Sequence, residues 1–324
     1  MKKRHLILFL TIAVLLTLIY VYQSNKNLVK ITFRYENGRI YETVKTAKGE
    51  PIPSPDDPVQ KNGLFIGWFT TPDGNQEVDL SQGVWKNTVL YARFRMDGTA
   101  LVNDITQYIM KSVVKIECRT YSSISDELEA EASSSSVQGS GFCFSAGNGY
   151  YYILTNCHAV CKEDENDRLS IRIYDYKGNR YIGYLYNDPN KMGDAISPEH
   201  DLACVYFTSE SSEVMPLSIA MENPSVETEI FALGAPASQM NSITFGKITD
   251  YKAITLHETP TYISNVTFPV ICHSATTRAG SSGGPLMNGN LQVVGVHFAG
   301  NTNRSSGYAI PAESIWDFLL KYIK

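Results

Sequence analysis

Apolar and polar positions change rhythm several times along the 324 residues, and each change marks an element. Leu6 to Tyr22 is a run of 17 residues without a charge, preceded by Lys2, Lys3 and Arg4. A run of that length behind a basic cluster predicts a spanning helix whose basic end stays in the cytoplasm. Bulky Tyr20, Val21 and Tyr22 stand where a signal peptidase needs small residues, so residues 1–28 are expected to remain as a signal anchor. From Lys30 to Tyr35 the pattern turns to alternation, then Glu36-Asn37-Gly38 supplies a turn and Tyr41–Ala47 can return as a partner strand. Gly63–Thr70 and Leu90–Phe94 add strand-like runs around the Asp73-Gly74 turn, which predicts a small β module over residues 29–95. Residues 96–104 read as a linker. Beyond residue 105, apolar runs of strand length (Ser112–Ile116, Tyr152–Leu154, Leu202–Phe207, Val294–Phe298) alternate with Gly- and Ser-rich turns. A helical period follows Ser314 and runs through Tyr322, so residues 105–324 predict a mostly β domain that closes on a helix.

Composition narrows the partners. A net charge of −5 offers no basic surface, which argues against nucleic acid as a partner. The length fits two domains and an anchor. All 6 cysteines lie in the larger domain. Three disulfides with 15 alternative pairings are one reading, and buried free thiols are the other, since Cys118, Cys143, Cys204 and Cys272 fall within apolar strands. No spacing of His, Cys and Asp predicts a metal site, and nothing calls for a cofactor.

The chemistry concentrates in three segments. Gly280-Ser281-Ser282-Gly283-Gly284-Pro285-Leu286 places a serine between glycines ahead of a strand. A hydroxyl is a weak nucleophile and needs a base beside it and donors for the oxyanion it creates. His158 follows the apolar run Tyr152–Leu154, and Asp201 opens the run Leu202–Phe207. The chain order His, Asp, Ser is that of chymotrypsin and differs from subtilisin and the α/β-hydrolases.

These residues and their surroundings resemble the trypsin-like serine proteases, the HtrA/Deg branch in particular. The matching pieces are Gly139-Ser140-Gly141-Phe142, Leu154 to His158, Asp201-Leu202-Ala203, Gly234-Ala235-Pro236, Thr244 to Ile248 and Gly307 to Pro311. The resemblance implies a chymotrypsin-like double β-barrel. It also implies Ser282 as nucleophile, His158 as general base, Asp201 as its orienting acid, and the Gly280 and Ser282 amides as oxyanion donors. Protein or peptide substrates follow. Ser281 departs from digestive relatives, which carry Asp before the nucleophile, so activation by clipping a new N-terminus is not expected.

Specificity is expected beside the nucleophile loop. Thr276-Thr277 and Gly295-Val296-His297-Phe298-Ala299-Gly300 are similar to segments of the staphylococcal glutamyl endopeptidases. There a His and a Thr hold a substrate carboxylate. The likeness implies a substrate-binding set of Thr276, Thr277, His297, Phe298, Ala299 and Gly300, with Glu or Asp before the scissile bond. HtrA enzymes have Asn at the His297 position and take small aliphatic side chains, and that alternative stays open.

The module over residues 29–95 resembles the internalin B B-repeat of Listeria, a β-grasp-like unit, through Gly67-Trp68-Phe69 and Leu90-Tyr91-Ala92. A cell-wall or surface partner is one expectation for it, and a passive stalk is the other. A catalytically silent surface-binding protein is the rival of the enzyme reading.

Overall fold

The computed structural model describes residues 27–60, 63–72, 77–121, 136–161, 168–188, 190–191, 193–235, 242–254, 265–300 and 307–323. The predicted anchor helix over residues 1–28 lies almost wholly outside them. Among the described residues no helix is long and apolar enough to cross a membrane. The chain divides into two compact units, Met1–Arg95 and Met96–Lys324.

In the first unit, β1 (Leu28–Arg34), β2 (Ile40–Ala47), β3 (Gly63–Phe69) and β4 (Thr88–Met96, ending at the boundary) form one sheet in the order β2-β1-β4-β3. The central β1–β4 pair is parallel, and β1–β2 is an antiparallel hairpin. Alternation in β1 puts Val29, Ile31 and Phe33 on the buried face, where they meet Trp68, Leu90 and Ala92. Trp68 packs its ring 4.5 Å from Phe33 and is a core residue.

The second unit opens differently from expectation. The stretch 96–104 is not a linker: residues Gly98–Gln107 form helix α1, and Leu101 and Ile105 are fully buried. Their spacing of four, continued by Ile109, is one helical stripe, and it packs into the domain core.

Two closed six-stranded barrels follow, as the chymotrypsin-like fold requires. The first contains β5 (Val113–Tyr121), β6 (Val137–Gly147), β7 (Tyr150–Thr155), β8 (Arg168–Tyr174), β9 (Arg180–Leu185) and β11 (Leu202–Thr208), with the two-residue β10 (Ile196–Ser197) beside β11. Pairing of Val205 with Leu185 between β11 and β9 closes it. The second runs β12 (Glu229–Gly234), β13 (Ser242–Lys252), β14 (Val270–His273), β17 (Gly307–Pro311), β16 (Val293–Gly300), β15 (Pro285–Asn288). Each barrel has its own filling: Val114, Ile116, Ile153 and Phe207 in the first, Ile230, Ile271, Leu286 and Val294 in the second. A third cluster joins them through Phe142, Leu154, Phe231, Val296 and Phe298. It also receives Leu101 of α1 and Ile315, Phe318 and Leu319 of the C-terminal helix α2 (Ala312–Tyr322). This shared core fixes one barrel against the other. All six cysteines are free thiols, which selects the second of the two readings.

Candidate active site

The catalytic candidates lie on strand ends facing the seam between the barrels. β7 stops at Thr155, and a single 3-10 turn over Cys157–Ala159 carries His158. Asp201 precedes β11 in the left-handed conformation, with φ of 50°. That backbone is uncommon for a residue other than glycine, and Asp is among those that tolerate it. Its carboxylate is fully buried and accepts from His158 Nδ1, at 2.8 Å to Oδ2 and 3.1 Å to Oδ1. The backbone N–H of His158 also donates to Oδ1, at 3.1 Å. Asn156 Nδ2 donates to the Asp201 carbonyl at 2.8 Å, so the two turns are stitched together at the backbone as well. An imidazole held this way carries its proton on Nδ1 and presents Nε2 as the acceptor.

Cys157 and Cys161 flank that imidazole. The interaction between the two thiols and burial push Cys157 up, while Cys161 is held below the ordinary thiol range by Cys157 and by the nearby His158. Cys118 and Cys143 are pushed up to about 12 by burial and are inert as nucleophiles.

The serine arrives from the second barrel. Ser281 N–H donates to the Arg278 carbonyl at 2.9 Å, Gly284 N–H to the Ser281 carbonyl at 3.0 Å, and Gly283 N–H to the His297 carbonyl at 2.8 Å. Gly283 has φ of 86°, and a Cβ there would meet the Ser140 carbonyl oxygen at 2.0 Å, so glycine is obligatory. Ser281 makes a local brace: its hydroxyl accepts from the Arg278 N–H at 3.3 Å. The Ser282 hydroxyl donates to the Phe298 carbonyl at 3.3 Å. Neither the Gly280 nor the Ser282 amide has an acceptor among the described residues. The loop therefore offers two free donors beside a hydroxyl, which is what a developing oxyanion needs.

The specificity candidates are spread over the adjoining wall. Thr276 is exposed and Thr277 half-buried, while Phe298 is buried, Ala299 half-buried and Gly300 exposed. The β15–β16 ladder ends at Val296, and His297 still exchanges backbone hydrogen bonds with Gly283 and Gly284, so among the described residues the edge of β16 away from β17 has no strand partner only from Phe298 onward. His297 is only 4% exposed, and its Nδ1 lies 3.3 Å from Nε2 of His273 on β14. Burial lowers both imidazoles, His273 to about 4 and His297 well below its ordinary value, with the neighbouring His273 and His158 adding to the effect at His297. Both are neutral at neutral pH. The sequence reading missed His273, which shows there only as one more residue of an apolar strand. It gave no role to Ser140, although its motif was noted. A cavity of about 570 Å³, lined by Phe144, Tyr152, Tyr186, Leu217, Trp316 and Leu319 among others, includes none of these site residues.

Comparison with known proteins bears on the domains and the fold. Residues 139–296 match the model of the trypsin-like peptidase domain, and residues 30–93 match that of the Listeria-Bacteroides repeat domain. Over 190 residues the chain is 27% identical to Protease Do-like 5, chloroplastic, of Arabidopsis thaliana, covering 55% of this chain and 54% of that one. Over 186 residues it is 30% identical to Serine protease HTRA2, mitochondrial, of Bos taurus, covering 56% of this chain and 35% of that one. The chain thus spans about half, or less, of the length of the curated relatives it matches. The crystal structure of the Rv3671c protease from M. tuberculosis, active form, shares the fold with a TM-score of 0.53 at 22% identity, over 69% of this chain and 86% of that one.

Proposed function

We propose that this chain, which carries a trypsin-like peptidase domain and has HtrA-family homologues, is an endopeptidase working through His158, Asp201 and Ser282. The reading rests on the 2.8 Å His158–Asp201 contact set beside a serine loop with two unused amides. Ser282 turns from Phe298 to His158, gives its proton to Nε2 and attacks the scissile carbonyl. The oxyanion settles on the Gly280 and Ser282 amides, each such donor typically worth about 3 kcal/mol in the transition state. His158 hands its proton to the leaving amine, and water repeats the sequence to release the acyl group.

The acidic preference gains a specific mechanism from the histidine pair. If His273 donates Nε2–H to Nδ1 of His297, the latter carries its own proton on Nε2 and presents it to a substrate carboxylate. In this reading Thr277 shares that load. The second reading, a small aliphatic preference, is favoured by the burial of His297, which is almost out of reach of a substrate side chain. Residues 1–28 then act as a single-pass anchor, with the protease outside the membrane and residues 29–95 spacing it from the surface or binding a wall component. A silent binding protein is disfavoured by the intact acid–base pair.

The experiment is cleavage of a diverse peptide library by residues 96–324, with Ser282→Ala as the blank. Ser282-dependent cuts after Glu establish the enzyme and its pocket together. Cuts after small apolar residues keep the enzyme and discard the acidic pocket. Absence of any Ser282-dependent cutting, in the full chain as well, rejects the enzyme. Extraction of the full chain from membranes by alkaline wash would reject the anchor.

A further inference from the structure

Ser140 sits in the Gly139-Ser140-Gly141-Phe142 stretch of β6, in the first barrel, and is fully buried. Every polar atom it has is spent on the catalytic seam. Its N–H donates to the Ser282 carbonyl at 2.7 Å. Its hydroxyl donates to the Gly280 carbonyl at 2.7 Å and accepts from the Ala235 N–H at 2.8 Å. Its own carbonyl accepts from Thr155 Oγ1 at 2.7 Å, three residues before His158. Small neighbours permit this closeness. A Cβ on Gly139 would lie 3.2 Å from the Ser282 carbonyl oxygen, and one on Gly234 would lie 3.2 Å from Ser140 Oγ.

The Ser282 amide belongs to the peptide unit between residues 281 and 282. The unit before it is pinned by the Gly280 carbonyl and the unit after it by the Ser282 carbonyl, both on Ser140. With both flanking planes held, the direction of the Ser282 N–H follows. The Gly280 carbonyl is likewise kept from rotating toward the space its own amide must serve. A hydroxyl is needed for this: alanine would leave the Gly280 carbonyl and the Ala235 amide buried without their partner. We propose that Ser140 is a positioning residue for hydrolysis, its hydroxyl holding the nucleophile loop so that the Gly280 and Ser282 amides converge on the oxyanion.

The inference rests on the hydrolytic reading above, and the test separates the two. The full chain and its Ser140→Ala and Ser140→Cys variants are treated with a fluorophosphonate. In that reaction the Ser282 oxygen–phosphorus bond forms, fluoride leaves, the serine proton passes to His158, and the phosphoryl oxygen occupies the oxyanion position. Labelling rates are compared with kcat and KM on a cleaved library peptide, and with Tm. A misplaced donor pair is expected to slow Ser140→Ala labelling and kcat together by about 10- to 100-fold, with KM within about threefold. Ser140→Cys is near-isosteric with a weaker donor and should fall between, and it carries the test if the alanine variant does not fold. A purely structural serine would lower Tm with labelling and kcat unchanged, which overturns the inference while leaving the enzyme standing. A wild type that shows no Ser282-dependent labelling overturns both.

Discussion

Replacing Asp201 by Asn isolates what the carboxylate does. The acid accepts three contacts, two from the Nδ1 side of His158 and one from its backbone N–H. An amide has one acceptor and one donor end. Its oxygen can keep the backbone N–H, but its NH2 then faces Nδ1 and forces the imidazole proton onto Nε2. That tautomer cannot take the proton of Ser282. The same exchange in another serine protease lowers kcat about 10⁴-fold, or ~5 kcal/mol of barrier, and the contacts here call for the same order. The fold should not suffer, because Asn is at least as tolerant as Asp of the left-handed φ of 50° at this position. The assay is kcat/KM on the best library peptide for wild type and Asp201→Asn, with Tm measured alongside. Loss of less than about 10-fold, at unchanged Tm, would refute a tautomer-holding role for Asp201.

Gly283→Ala adds a left-handed penalty of about 1–2 kcal/mol to an overlap with the Ser140 carbonyl and Thr155, so the unfolding free energy from urea titration should fall by well over that amount. Leu101→Ala should cost about 2–5 kcal/mol, and a chain started at residue 105 should be less stable than one started at 96, if α1 is part of the core. His273 has its pKa lowered from 6.5 to about 4, so the unfolded chain takes up a proton that the folded chain refuses. Its contribution is whole above pH 6.5 and is lost as pH falls toward 4, by roughly 3 kcal/mol, with His297 acting in the same direction. Urea midpoints at pH 7.5 and 4.5 check it, and His273→Phe should flatten that slope.

Local chemistry was legible where it is written locally. The apolar runs predicted strands, and His158, Asp201 and Ser282 stood out because each is a chemistry-bearing residue just beyond the end, or just ahead of the start, of such a run. The wall residues were named from likeness alone, and the fold places them along one strand edge and one loop without deciding what they select. Residues 96–104 read as a linker because Gly98 and one buried position, Leu101, show no period within that stretch, and the helix Gly98–Gln107 takes its stability from the core it packs into. Ser140 and His273 were beyond reach for another reason. Their partners lie 140 and 24 residues away, and only barrel closure brings them together.

The division of labour between the barrels bears on how such a chain is made. The His158–Asp201 pair is complete on the first barrel, yet Ser282 emerges 81 residues after Asp201. Its loop takes its shape from β6 of the finished first barrel, through Ser140. A chain part-way through synthesis thus holds an acid–base pair with nothing to activate. On the proposed mechanism cutting power arrives last, when the second barrel docks, and a half-made chain is harmless to its neighbours and to itself.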